Sequence, residues 1–189
     1  MNAKEISNMR LKQLLVSNIL IFSSVILFFT VVKIASISVS QFTFVVGIIL
    51  ALQGIVGLVR GDTTKSVIPI FEKVAVYEKG KMGSEWYKER KTNFIWNIIL
   101  GGFMFMQSYW NRRMPEQSFE WEIAFLITVL FIILLVINIA SIIRFRKIDT
   151  SINSTEFKGY TRKSNAIGVA IGIILAIILG VITLSFVFL

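Results

Sequence analysis

The sequence contains no cysteine and no histidine. These absences exclude disulfides, thiolate nucleophiles, thiolate zinc sites, histidine-ligated haem and a histidine general base. A phosphate loop of the Gly-x-x-x-x-Gly-Lys-Ser/Thr type is also missing, so any ATP hydrolysis would belong to a partner protein. The sequence therefore predicts a protein that is not an enzyme and that needs no cofactor.

Charge is missing from five long segments, which cover 13–32, 34–59, 92–111, 123–143 and 164–189. Each is about as long as the ~20 residues that a helix needs to cross a hydrocarbon core, and a spanning segment must satisfy its own backbone hydrogen bonds. We therefore expect an all-α, polytopic integral membrane protein with a single membrane domain. The predicted spans are 13–32, 40–59, 93–110, 122–143 and 166–188, and the predicted cytoplasmic loops are 60–92 and 144–165.

The basic residues before the first segment are also typical of a secretory signal peptide. The apolar run that follows is longer than the roughly 7 to 15 residues of a cleaved signal, and Lys33 comes directly after it. We expect an uncleaved anchor. Ser38 and Ser40 form a small-x-small pair that leaves cleavage open as the alternative.

Basic residues are distributed unevenly along the chain, which has 20 Lys and Arg against 11 Asp and Glu and a net charge of +9. If the N-terminus is cytoplasmic and all five segments cross, 17 of these 20 basic residues face the cytoplasm. That bias agrees with the positive-inside rule and predicts a C-terminus outside. The abundance of Ile, Lys, Phe and Asn is typical of a low-GC bacterium, so we expect its cytoplasmic membrane.

The basic residues are spread over membrane-flanking loops, and no nucleic-acid-reading motif accompanies them. They indicate attraction to the anionic headgroups of the lipid bilayer and not to nucleic acid. The third span is the weakest, because Asn97, Gly101 and Gly102 dilute its apolar run. We still predict a true span, since a surface segment there would move the basic residues of the last loop outside.

Two similar motifs precede apolar runs: KERKTN at 88–93 and TRKSN at 161–165. Each of the two loops has Asp-Thr near its start and, near its end, Glu and an aromatic residue followed by Arg-Lys, a hydroxyl residue and Asn. This shared order predicts a duplicated hairpin, with helices 2 and 3 matching helices 4 and 5. Coincidence is the alternative, because basic residues belong at cytoplasmic helix ends and Ser, Thr and Asn favour helix starts. The candidates for binding at this face are Arg90, Lys91, Arg162 and Lys163.

The loop 60–92 contains an apolar stretch in which Pro69 suits only a first helical turn. We expect an amphipathic helix from about Val67 or Ile68 to Lys79, lying in the headgroup layer. A flexible break is predicted at 79–83, followed by Ser84 as the N-cap of a helix that runs into the third span. This loop is the best docking surface on the chain.

The predicted spans place no charged side chain at mid-bilayer, which argues against a proton-coupled carrier or a voltage sensor. Their amides either bond across helices or line a substrate path, and the candidates are Asn18, Gln53, Asn97 and Asn138. Small residues predict close helix packing, within the monomer or to another membrane protein. The main positions are Gly47, Gly54, Gly168 and Gly172.

Carboxylates form no convincing catalytic or metal site in the sequence. Asp62 and Asp149 lie outside the apolar segments, where a turn role is commoner than an aspartyl dyad. The outer cluster of Glu116, Glu120 and Glu122 offers too few oxygen ligands in a defined loop for calcium. We predict no metal site.

These features favour a non-catalytic membrane protein that binds another membrane component, as an immunity, regulatory or accessory factor. Its partner would be another membrane protein or a second copy of the chain. The alternative is the membrane subunit of a transporter, powered by a separate ATPase that docks on the loop 62–93. An autonomous enzyme or channel is least favoured, because histidine, cysteine and intramembrane charge are missing.

The five-span topology predicts the accessibility of single cysteines in this cysteine-free chain. Cysteines within 62–92 and 148–163 should react only with a thiol reagent that reaches the cytoplasm, because both segments carry the basic bias. Cysteines within 34–40 and 112–119 should react from outside. Labelling of 148–163 from outside would overturn this topology.

Overall fold

The computed structural model describes residues 1–35, 37–112 and 123–188. The described residues form helices and contain no strand, which confirms the all-α prediction. The predicted outer cluster of Glu116, Glu120 and Glu122 lies outside the described residues. The helices are α1 (Ala3–Ala35), α2 (Val39–Arg60), α3 (Pro69–Met82), α4 (Ser84–Asn111), α5 (Ile123–Thr150) and α6 (Tyr160–Phe188), with a 3-10 turn at Ser154–Phe157.

Four stretches of the described chain are long and apolar enough to cross a membrane: Ala3–Val31, Val39–Arg60, Ile127–Thr150 and Ser154–Ile178. They indicate a multi-pass membrane protein. The third predicted span lies in α4, which is not among them, since its amides and glycines dilute its apolar run. The residues 144–150, predicted as loop, are the last two turns of α5.

Helices α2 and α4 run antiparallel and pack closely along their lengths. At one end, the Ser40 hydroxyl donates to the Ser108 carbonyl oxygen (2.9 Å) and the Ser108 hydroxyl donates to the Ser40 carbonyl oxygen (2.8 Å). Further along, a Cβ added at Gly101 would lie 3.0 Å from the Gly47 carbonyl oxygen. At the other end, the Phe94 ring occupies the space beside Gly57. The absence of side chains at the glycines lets the two backbones approach.

Helices α1 and α5 are joined by a pair of amides. Asn18 Nδ2 donates to Asn138 Oδ1 (3.1 Å), and Asn138 Nδ2 donates to Asn18 Oδ1 (3.0 Å). Both amide groups are thereby used within the chain. Helices α5 and α6 make no comparable contact in the described residues, unlike α2 and α4. The duplicated hairpin therefore stays a prediction.

The predicted helix in the long loop is confirmed as α3, which has Pro69 in its first turn. The predicted flexible break is wrong, because α3 continues to Met82 and only Gly83 separates it from α4. Gly83 adopts a φ of +60°, and its N–H bonds the Lys79 carbonyl oxygen (3.0 Å). Ser84 is not an N-cap either, because the turn at Gly83 leaves it as the first helical residue, with no capping bond from a side chain.

An apolar core lies beneath α3, where α4, α5 and the 3-10 turn meet it. Met82, Trp86, Ile148 and Phe157 are buried there and contact one another. These residues come from the two predicted loops and the helix ends beside them. The best-buried apolar side chains of the described chain thus lie outside the predicted spans.

Gly54→Ala should destabilise the α2–α4 pair. The added Cβ would lie 2.5 Å from Ile98 Cγ1 and 2.7 Å from the Phe94 carbonyl oxygen, and backbone cannot move aside cheaply. Overpacking of this kind costs about 1–3 kcal/mol, seen as a lower Tm in detergent. The control is Gly102→Ala, because an added Cβ there has nothing within 4 Å. Equal Tm values for the two variants would contradict the packing.

Candidate functional site at the charged end

Five charged side chains from four helices form a buried cluster, called here the arginine cluster: Arg10, Glu78, Glu89, Arg144 and Asp149. Arg10 of α1, whose side chain is only 7% exposed, donates from Nη1 to Glu78 Oε1 (2.7 Å). The same guanidinium donates from Nη2 and Nε to the two carboxylate oxygens of Asp149 (2.8 and 3.1 Å). Arg10 therefore ties α1 to α3 and α5.

Arg144 of α5 approaches Glu78 from another side. Its Nη1 and Nη2 atoms donate to Glu78 Oε1 and Oε2, both at 2.8 Å. Its Nε and Nη2 atoms also donate to the two oxygens of Glu89 in α4, both at 3.1 Å. Paired, charge-assisted bonds of this kind fix orientation as well as distance. Glu78 consequently lies between two guanidinium groups and links α1, α3 and α5.

The helical spacing of α3 explains why Glu78 is buried. Val74, Glu78 and Met82 are spaced four residues apart, and all three are buried on one face of the helix. On the α1 side, the Arg10 guanidinium lies 4.3 Å from the centre of the Phe145 ring and 5.4 Å from that of Tyr77. Burial, together with the Asp149 carboxylate, raises the pKa of the Tyr77 hydroxyl. Aromatic rings thus cover Arg10 on this side of the cluster.

A second polar contact attaches α6 to α4. The Thr161 hydroxyl donates to Glu85 Oε2 (2.9 Å), and Lys88 Nζ donates to Glu85 Oε1 (2.6 Å). The bond from Lys88 and those from Thr161 lower the pKa of Glu85, against the opposing effect of burial. Because this pKa is lowered, the contact contributes stability above the ordinary glutamate pKa of about 4.3 and loses it as the pH falls.

Asp62 and Asp149 do not form a dyad. Asp62 pairs with Lys79 on the exposed surface (2.7 Å), and this lysine lowers the Asp62 pKa. Asp149 pairs with Arg10 in the arginine cluster. Because every carboxylate of the cluster accepts bonds from a guanidinium, the arrangement suits a structural clamp better than proton transfer.

The candidates from the sequence are dispersed over the structure. Asn18 and Asn138 bond each other, whereas Gln53 is exposed and Asn97 half-buried, and neither has a recorded hydrogen bond within the described residues. Lys91, Arg162 and Lys163 are exposed. Gly47 and Gly54 lie against α4, but a Cβ added at Gly168 or Gly172 would have nothing within 4 Å. Arg90 lies beside the arginine cluster, over the Trp86 ring.

Sequence reasoning missed the arginine cluster. From the sequence alone, Arg10 and Arg144 count only among the basic residues that indicate the topology. Glu78 counts only as a charge in a predicted loop. One signal was available, since Glu78 falls on the apolar stripe of α3 together with Val74 and Met82. A carboxylate at such a position needs a cationic partner if it is buried.

The helices and the arginine cluster together define the class of the molecule. It is a helical multi-pass membrane protein in which ion pairs join four helices at one end. No protein-family model, curated protein or solved structure matches the chain.

Glu78→Gln should destabilise the protein more than any exposed charge substitution. The change removes a negative charge held between two guanidinium groups, and breaking a buried pair costs about 3–5 kcal/mol. Thermal unfolding in detergent measures this loss. Asp62→Asn is the matched control, because it breaks an exposed pair and should leave the Tm unchanged. Similar Tm values would mean that the cluster does not hold the helices together.

Proposed function

We propose that this protein is a non-catalytic component of a bacterial cytoplasmic membrane that acts by binding another membrane component through its spans. Immunity, regulatory and accessory proteins work in this way. The proposal includes five spans, a cytoplasmic N-terminus and an external C-terminus. Its support comes from the contacts at the charged end and from the uneven packing of the helices.

The polar contacts of the charged end support a common side for the N-terminus and both basic loops. Arg10 near the N-terminus bonds Asp149 at the end of α5 and Glu78 of α3, and Thr161 at the start of α6 bonds Glu85 at the start of α4. These contacts support a topology in which α1, α4 and α6 begin on one side of the membrane and α5 ends on that side. The positive-inside rule assigns that side to the cytoplasm.

The close pairing of α2 and α4 supports the fifth span. The two helices are antiparallel and lie side by side from the Ser40–Ser108 contact to Gly57 and Phe94. If α2 crosses the membrane, a helix packed along its whole length crosses with it. The weak apolar character of α4 is then offset by its burial against α2.

The observation that carries the proposal is the attachment of α6. Its first turn is fixed by Thr161, but the described residues from 166 to 178 are exposed, except for the half-buried Leu175. The small residues Gly168 and Gly172 lie on this uncovered length and permit close approach by another helix. The Thr161 contact thus holds α6 at its first turn, and the rest of the described chain leaves the following length of this helix uncovered.

A second polar feature supports a partner within the membrane. Gln53 lies well inside α2 and is exposed, and its side-chain amide has no hydrogen bond with any described residue. An amide in hydrocarbon is costly unless it is hydrogen-bonded. Another membrane helix would supply the missing partner, since interhelical amide bonds contribute about 0.6–2 kcal/mol.

One observation favours the alternative of a transporter subunit. Helix α3 lies outside the spans and is bonded through Glu78 to α1 and α5. An ATPase that moved α3 would therefore act on two spans through one side chain. This alternative requires a nucleotide-binding protein in stoichiometric association, which the experiment below would detect.

The double substitution Gly168→Leu with Gly172→Leu should abolish partner binding and preserve folding, because no described atom would meet the added side chains at their first carbon. Quantitative mass spectrometry of tagged protein from gently solubilised membranes measures what co-purifies. The control is Ala170→Leu, which adds bulk on the opposite face of α6 and should retain the partner. A partner kept by the double variant and lost by the control would contradict the role of this face. Recovery of the protein alone in every case would contradict the proposed function.

A further inference from the structure

Arg90 is a half-buried cation beside the arginine cluster, and its guanidinium has no polar partner among the described residues. Its Nε atom is buried and has no hydrogen bond, and none of the described residues forms an ion pair with its guanidinium. The guanidinium instead lies over aromatic rings, 4.9 Å from the centre of Trp86 and 5.6 Å from that of Phe94. Burial lowers the pKa of this group, although an arginine remains charged at neutral pH. A partly buried charge without an acceptor is costly, so an acceptor is expected from outside the chain.

The structure provides space for such an acceptor. A cleft of about 460 Å³ lies between α1, α3, α4 and α5, and Arg90 forms part of its wall. The amides of Gln13 and Asn93 also line it and are capable of donating hydrogen bonds. Asn93 and Phe94 follow Arg90 by three and four residues, so the three side chains share one face of α4.

The cleft has a polar part and an apolar part. Phe71 of α3 and Phe94 of α4 line it together with the polar groups. Asn93 is also the first residue of the third predicted span. In the topology proposed above, the cleft therefore lies at the boundary between cytoplasmic headgroups and acyl chains. A ligand with an anionic group next to an apolar chain matches both parts.

The carboxylates in the cleft do not exclude an anion. Glu78 and Glu89 line it, but their oxygens already accept bonds from Arg10 and Arg144. The chain carries a net charge of +9, and its basic residues concentrate at this end. The potential there attracts anions. Of the two arginines that line the cleft, Arg144 is bonded to Glu78 and Glu89, whereas Arg90 has no acceptor among the described residues.

We infer that the cleft beside Arg90 binds the phosphate of an anionic glycerophospholipid from the cytoplasmic leaflet. Arg90 donates to the phosphate oxygens, Asn93 and Gln13 donate to the headgroup, and an acyl chain lies against Phe71 and Phe94. Guanidinium groups suit this task, because their planar donor set matches phosphate oxygens. The inference rests on the membrane placement of the proposed function but not on any protein partner.

The test is native mass spectrometry of the delipidated full chain, titrated with phosphatidylglycerol or phosphatidylcholine. One phosphatidylglycerol should bind about tenfold more tightly than phosphatidylcholine, because the quaternary ammonium of phosphatidylcholine neutralises the charge of its phosphate and forms no hydrogen bond with Asn93 or Gln13. Arg90→Gln should weaken that binding by about tenfold or more. Lys91→Gln removes the same charge from the exposed neighbouring residue and should change binding by less than about twofold.

A second variant and a soluble ligand complete the test. If Arg90→Gln does not fold, Asn93→Leu removes a donor without changing the charge, and it should also weaken phosphatidylglycerol binding. Glycerol 3-phosphate should not compete, because it lacks the acyl chain. If glycerol 3-phosphate competes effectively, the site binds a soluble phosphate, and the proposal that the phosphate belongs to a lipid is wrong.

Other outcomes separate this inference from the proposed function. Equal losses in Arg90→Gln and Lys91→Gln would mean diffuse attraction to anionic lipid and would overturn the site. If Arg90→Gln removes a co-purifying protein and leaves phosphatidylglycerol binding unchanged, the acceptor belongs to that protein and the lipid assignment is wrong. Extraction of membranes at alkaline pH tests only whether the chain is integral to the membrane. Release of the chain would contradict the proposed membrane topology.

Discussion

The architecture depends on one carboxylate held between two guanidinium groups. Glu78 receives Arg10 from α1 and Arg144 from α5, and Arg144 extends the contact to Glu89 of α4. Neither arginine nor the carboxylate is stable in this position alone, because a buried charge without its partner costs several kcal/mol. These three charges, together with Glu89, therefore bring four helices together at one end or do not form the cluster at all.

Packing within the predicted spans follows a different physical rule. Hydrophobic attraction between helices is absent in lipid, so helices associate by close backbone approach and by hydrogen bonds. The α2–α4 pair uses glycines and reciprocal serine bonds, and the α1–α5 pair uses two amides. Beyond the Thr161–Glu85 contact of its first turn, the described part of α6 has neither kind of contact with another helix. The ion pairs thus join the helices at one end, while the described length of α6 from 166 to 178 is left largely uncovered.

Several elements are readable from the sequence because they depend on local rules. Charge-free segments identify the apolar helices, and Pro69 marks the start of α3 because its fixed φ suits a first turn. The partners of buried charges are not local. Arg10 and Asp149 are 139 positions apart, and their contact depends on how α1 and α5 meet. Glycines show the same limit, since Gly54 and Gly168 look alike in sequence and only Gly54 faces another helix of the described chain.

The most direct test of this account is amide hydrogen exchange of the native chain in lipid nanodiscs, resolved over Pro69–Met82. If the arginine cluster clamps α3 to the spans, the amides around Glu78 exchange slowly although α3 lies outside the apolar segments. Exchange of α3 as fast as that of an exposed surface helix, with the spans still protected, would contradict the clamp and everything built on it.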